Sequence, residues 1–143
     1  ILIRAYTEEI SKDSHSSEYI ITVIENGLDF KSTHYDSGEE DKIISFTLTT
    51  EALSNLIEYI NTNCLNRNIN EIKLTAKLGL TIKLDVKLKL DGKITETSIH
   101  GMYNDWTIRD SDNTTNLENI EYYKMIMNIV NTVEHNGENF SGF

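Results

Sequence analysis

The amino-acid sequence predicts an α+β domain in which a largely antiparallel sheet of about seven or eight strands carries two packed helices. Three observations lead there. From Ile72 to Leu90 every even-numbered residue is apolar, which is the alternation of a half-buried strand. Two dipeptides with turn chemistry, Asn26-Gly27 and Asp91-Gly92, sit between strand-like runs. Two other stretches, around residues 51–64 and 117–133, repeat their apolar residues at helical spacing.

Taken in order, Ile1, Ile3 and Ala5 alternate with Leu2, Arg4 and Tyr6 as a first strand over 1–6, and the polar run SKDSHSSE follows as a loop. In EYIITVIENGLDFKSTHY the Asn26-Gly27 pair supplies the positive φ of a type I′ turn. That turn sets Val23 against Phe30 and Glu25 against Leu28, so Tyr19, Ile21, Val23, Leu28 and Phe30 share a core-facing side. After the loop DSGEED, KIISFTLTT reads as a strand, and Thr50 caps a helix over about 51–64. Leu53, Leu56, Ile57, Ile60 and Cys64 form its buried stripe.

The Asn-rich NTNCLNRNIN ends that helix and opens the long alternating segment. A straight strand from 72 to 90 would run roughly 60 Å, longer than a domain of this size is wide, so a bend or turn falls near Gly79. A two-residue turn there would invert the parity of buried positions. The unbroken parity therefore leaves a kinked strand, a bulge pair or an odd-length loop. Asp91-Gly92 returns the chain through KITETSIH, and MYNDWTIRD reads as the last strand. Thr115 and Glu118 form a capping box ahead of Leu117, Ile120, Tyr123, Met127, Val130 and Val133, with Gly137 as the stop. No linker divides residues 1–143, which read as a single domain.

Length and composition narrow the function classes. With 143 residues the chain is long enough to bury a core without disulfides or a structural metal, and its one cysteine, Cys64, excludes an internal disulfide. Cys64 reads as a buried thiol at the helix tail. No apolar run reaches the length of a membrane span, and ILIRAYTEEI has neither the cationic region nor the small-residue cleavage site of a secretion signal. A cytoplasmic protein without a membrane partner is the expectation. Thirteen Lys and Arg against 23 Asp and Glu give a net charge of −10, which disfavours nucleic acid as a partner and favours a cationic one.

Motifs for chemistry are absent. His15, His34, His100 and His135 show no HExxH or i,i+4 pairing, so no metal site is expected, and no P-loop, GxSxG or GxGxxG implies a cofactor. His34 and His100 are the pair an acid–base enzyme would use, but no spacing brings them together. DSDNTTNLENIE places Asp110, Asp112, Thr114, Asn116, Glu118 and Glu121 at the ligand positions of an EF-hand loop. Thr115 stands where that loop needs Gly, and the capping box accounts for the same residues without calcium.

Charge, in contrast, is polarised. Arg67 to Lys93 holds seven basic residues and three acids, a net +4, so the rest of the chain carries −14. Its lysines at odd positions form a stripe on the solvent face of the sheet, the ordinary means of keeping such a face soluble. The acids crowd two loops: Asp36, Glu39, Glu40 and Asp41 in one, and Asp105, Asp110 and Asp112 in the other, beside Tyr103 and Trp106. Clustered carboxylates beside aromatics suit the capture of a basic protein, charge steering the encounter and an aromatic anchoring it. Trp106 equally suits a core position of the last strand.

A small, acidic, single-domain α+β chain with polarised charge and no catalytic signature resembles the bacterial immunity proteins that neutralise toxins of contact-dependent growth inhibition. The resemblance is one of overall character, with no motif to transfer. It implies a cytosolic inhibitor that docks on a cognate, cationic toxin, commonly a nuclease domain, its acids standing in for phosphates. The alternative from another class is a ligand-binding or enzymatic domain with a pocket between the sheet and the C-terminal helix.

Overall fold

The structure is a computed structural model of the chain that describes residues 1–10, 15–74, 80–103 and 114–143. Four strands, β1 (Leu2–Ile10), β2 (His15–Ile24), β3 (Gly27–Tyr35) and β4 (Lys42–Thr47), lead into helix α1 (Thr50–Thr62). Strands β5 (Ile69–Leu74), β6 (Leu80–Leu90) and β7 (Lys93–Tyr103) lead into helix α2 (Thr114–Asn136) and a short 3₁₀ turn, Gly137–Asn139. The sheet order is β4-β3-β2-β1-β6-β7-β5. Of its seven strands six form an antiparallel array; β5 joins β7 at the edge in parallel, which the alternation did not reveal.

One face of the sheet is dry. Ile3 and Ala5 of β1, Ile21 and Val23 of β2, Leu28 and Phe30 of β3, and Leu84, Val86 and Leu88 of β6 are buried against both helices. The even-numbered row is thus inward over the part of β6 described, and Lys83, Lys87 and Lys89 point to the other side. Burying those ammonium groups unpaired would cost far more than the alternation gains.

Several local expectations are corrected. The first hairpin turns at Glu25-Asn26, because Ile24 pairs with Gly27, Val23 with Leu28 and Ile21 with Phe30. Glu25 takes the positive φ, at 56°. The slip is two residues in register, so every side chain keeps its face, and Ile21, Val23, Leu28 and Phe30 are still core. Asp91 and Gly92, at φ 50° and 77°, do form the second turn. The 72–90 segment is neither one kinked strand nor a hairpin: β7 lies between β5 and β6. The alternation along β6 reports a sheet face and not which strand lies next to it. Met102 and Tyr103 continue β7 instead of opening a separate strand.

The first helix is capped by Thr49, whose Oγ1 accepts from the Ala52 amide at 3.0 Å, not by Thr50. Starting a residue early moves the centre of the buried stripe to Ala52, Leu56 and Ile60, with Leu53 and Ile57 at its margin. Cys64 falls beyond the helix, exposed and at φ 53°, where a C-terminal cap needs the left-handed region. The Leu65 amide reaches back to the Ile60 carbonyl at 3.0 Å, and Leu65 takes the buried place expected of Cys64. In α2 the buried row is Ile120, Tyr122, Ile126, Ile129, Val130 and Val133; Tyr123 and Met127 lie at its margin. Thr115 sits inside the first turn and not ahead of it, and the helix stops at Gly137 as expected.

Candidate functional site

The loop between β3 and β4 presents Asp36, Glu39, Glu40 and Asp41, all exposed. Asp36 leaves β3 at φ 60°, a conformation that short polar side chains tolerate best. Its carbonyl lies 3.2 Å from Nδ1 of His15, which donates in the tautomer protonated there. Behind the loop, His34 is nearly covered, its side chain 12% exposed. Its Nδ1 is 2.8 Å from Ser17 Oγ and 3.5 Å from Glu39 Oε2, and its ring meets Tyr19 edge-on at 5.9 Å. Burial raises the Tyr19 hydroxyl above its ordinary pKa against the Ser17 hydrogen bond, and the Glu134 and Glu39 carboxylates push the same way as burial.

Ser17, His34 and Glu39 do not make a nucleophilic relay, because both contacts fall on the same ring nitrogen. Nor do His34 and His100 make an acid–base pair. His34 lies on the helix side of β3, with Phe30 and Ser32, whereas His100 lies on the opposite face of β7, across from Lys83. Three strands separate them, roughly 19 Å at the usual spacing.

The acidic surface extends past the loop. Lys42 Nζ donates to the Glu134 carbonyl at 3.1 Å, holding the end of α2 beside the start of β4, and the 3₁₀ turn with Glu138 packs on β4. Beyond it, Phe140 meets Phe46 at 6.3 Å and the tail folds back over α1, where Phe143 stacks on Tyr59 at 4.1 Å. Gly142, at φ 85°, allows that return: a Cβ there would come within 2.6 Å of Asn55 Cβ. A cleft of about 540 Å³ opens between tail and helix, with Glu51, Asn55, Glu138, Phe140 and Phe143 in its wall. Glu58 lines a smaller one against Tyr59 and Phe143.

The loop acids thus continue through Glu134 and Glu138 to Glu51 and Glu58, carried by four separate chain segments. Among the described residues their one ion pair is Glu39 with His34, formed when the imidazole is protonated. Only topology assembles this side of the molecule; the scattered glutamates of the two helices carry no linear signal of it.

The remaining sequence-predicted residues are placed as follows. Tyr103 ends β7, opposite Leu80. Asp105, Trp106, Asp110 and Asp112 lie outside the described residues, so the second acidic cluster is not part of this surface description. Thr114 to Glu121, the last eight positions of the EF-hand-like run, are helical. No group of three metal-ligating side chains converges among the described residues. The clefts described lie at α1 and the tail, whereas Tyr122, Ile126, Ile129 and Val133 of α2 pack into the core against the sheet. No helix among the described residues is long and apolar enough to cross a membrane. Compared with protein-family models and with curated proteins, the chain matches none.

Proposed function

We propose that this protein is an immunity protein, binding and neutralising a cationic toxin domain through the acidic side formed by the β3–β4 loop and the neighbouring helix ends. The observation that carries the reading is the loop itself: Asp36, Glu39, Glu40 and Asp41 are all exposed, and the adjoining Glu134 and Glu138 extend the same charge. Exposed carboxylates on a loop at the sheet edge attract a basic surface from a distance, and they outnumber Lys42 and His34 beside them. On a nuclease-type toxin they occupy the groove that otherwise receives phosphates. The aromatic pair Tyr59 and Phe143 supplies apolar area on the same side, where charge alone gives rate more than affinity.

The test is whether a gene adjoining this one encodes a basic domain, and then binding of that domain, measured with wild type and with a variant carrying Asp36→Lys, Glu39→Lys, Glu40→Lys and Asp41→Lys. Wild type should associate fast at low salt and slow steeply as salt rises, and the variant should lose both the affinity and the salt dependence. Equal binding by the two proteins would remove the acidic side from the mechanism.

A further inference from the structure

We propose that the outer edge of β4 is a docking edge, and that it takes an extended basic segment of the partner as an added strand. Backbone pairing shows which groups are free. The Leu48 amide donates to the Asn26 carbonyl, in the same register that sets Phe46 opposite Leu28, Ile44 opposite Phe30 and Lys42 opposite Ser32. In an antiparallel ladder the residues that bond one neighbour alternate with those whose backbone faces the other way. Lys42, Ile44 and Phe46 therefore bond β3, and the N–H and C=O groups of Ile43, Ser45 and Thr47 point out of the sheet. Among the described residues no backbone group bonds them, and all three residues are exposed.

The two edges of the sheet are not alike. Proteins guard an edge with a bulge, a proline, an outward lysine or a covering segment. At the far edge, the pairing of β5 with β7 shifts register between Ile69 and Ile72. β4 pairs with β3 without a shift, and the chain contains no proline. Its one lysine, Lys42, is engaged with the Glu134 carbonyl at 3.1 Å. The C-terminal tail packs on the helix side of β4, Phe140 against Phe46, and leaves Ile43, Ser45 and Thr47 open.

Charge names the occupant. A free edge bonds any extended backbone, so the neighbouring side chains decide which one is held. Glu39, Glu40 and Asp41 run directly into β4, and Glu138 lies in the turn that packs on it, all of them exposed. A second copy would bring its own acidic loop to this place and be repelled. A strand bearing lysine or arginine meets opposite charge, while its alternate residues lie over half-buried Ile44 and Phe46. The inference rests on the cationic-partner reading for the sign of that charge. To that reading it adds main-chain hydrogen bonds, which supply affinity where charge supplies rate.

The test uses a synthetic peptide of about eight residues alternating lysine and valine, titrated into the labelled protein and followed by amide NMR. Saturable shifts and slowed exchange are expected at the Ile43, Ser45 and Thr47 amides. The same peptide N-methylated at every residue keeps its charge and loses its donors, and should bind at least about tenfold more weakly. So should the unmethylated peptide with Ser45→Pro, checked for folding by circular dichroism, since proline is tolerated on an edge whose N–H faces solvent. Shifts confined to the acidic loop, or equal affinity for the two peptides, overturn the proposal, and the second result does so even if Ser45→Pro fails to fold. A basic domain from an adjoining gene separates this inference from the functional reading. If that domain binds wild type and folded Ser45→Pro equally but not the loop charge-reversal variant, the edge is excluded and the acidic side stands. If the peptide seats on the edge and no such domain binds, the edge stands and the immunity reading falls.

Discussion

Two buried polar groups, at positions where a sheet face and a helix meet, make opposite predictions. Ser32 is fully buried on β3 and its Oγ has no hydrogen-bond partner among the described residues. A desolvated hydroxyl without a partner costs stability, so Ser32→Ala should raise the free energy of unfolding by about 1 kcal/mol in urea titration. Tyr122, equally buried, is satisfied: its hydroxyl donates to the Leu65 carbonyl at 3.2 Å. Tyr122→Phe strands that carbonyl and should cost about 1 kcal/mol at neutral pH. Burial also raises the Tyr122 pKa above its ordinary 10.0, against hydrogen bonding from Thr97 and the charge of Arg67. With the folded value the higher one, the folded state retains the proton longer. The contribution is whole below the unfolded pKa and is lost as pH rises through it towards the folded value. Stability curves of wild type and Tyr122→Phe should therefore converge in alkali, and a gap that widens there would contradict the assignment. Cys64 illustrates what a residue type conceals: helical spacing places it in the buried stripe, but the helix ends before it and the chain uses it as a left-handed cap. Cys64→Gly should stabilise by about 0.5–1 kcal/mol, relieving a conformation that glycine adopts freely.

At the scale of elements, the two X-Gly turns look alike in sequence and differ in what they ask of glycine. Gly92 sits at φ 77° within its turn, while Gly27 is the first strand residue after its turn, with ordinary φ and space for a Cβ. Gly92→Ala should cost about 1 kcal/mol and Gly27→Ala under about 0.5 kcal/mol, compared by thermal unfolding. That contrast explains which parts of the fold were legible. Alternation reports face, so the inward sides of β1, β2, β3 and β6 were readable even where the hairpin register slipped by two. Nothing in an alternating pattern says which strand lies next door, and so the insertion of β7 between β5 and β6 was not readable. The same holds for the site: DSGEED is visible as a charged run, whereas Glu134, Glu138 and Glu51 join it only through the docking of the tail and the end of α2.

For the whole molecule the governing quantity is the distribution of charge. A net −10 is compatible with folding because the charges lie on loops, helix exteriors and the open sheet face, while the core is apolar. The same distribution gathers the β3–β4 loop acids with Glu134 and Glu138 on one side, the side for which a cationic partner is proposed. Association kinetics with a basic domain encoded by an adjoining gene, followed by stopped flow across a salt series, test the acidic side most directly. The account predicts an association rate for wild type that falls steeply with salt, and a rate for the Asp36→Lys, Glu39→Lys, Glu40→Lys, Asp41→Lys protein that is slow and nearly salt-independent. Identical salt slopes for the two proteins would contradict it.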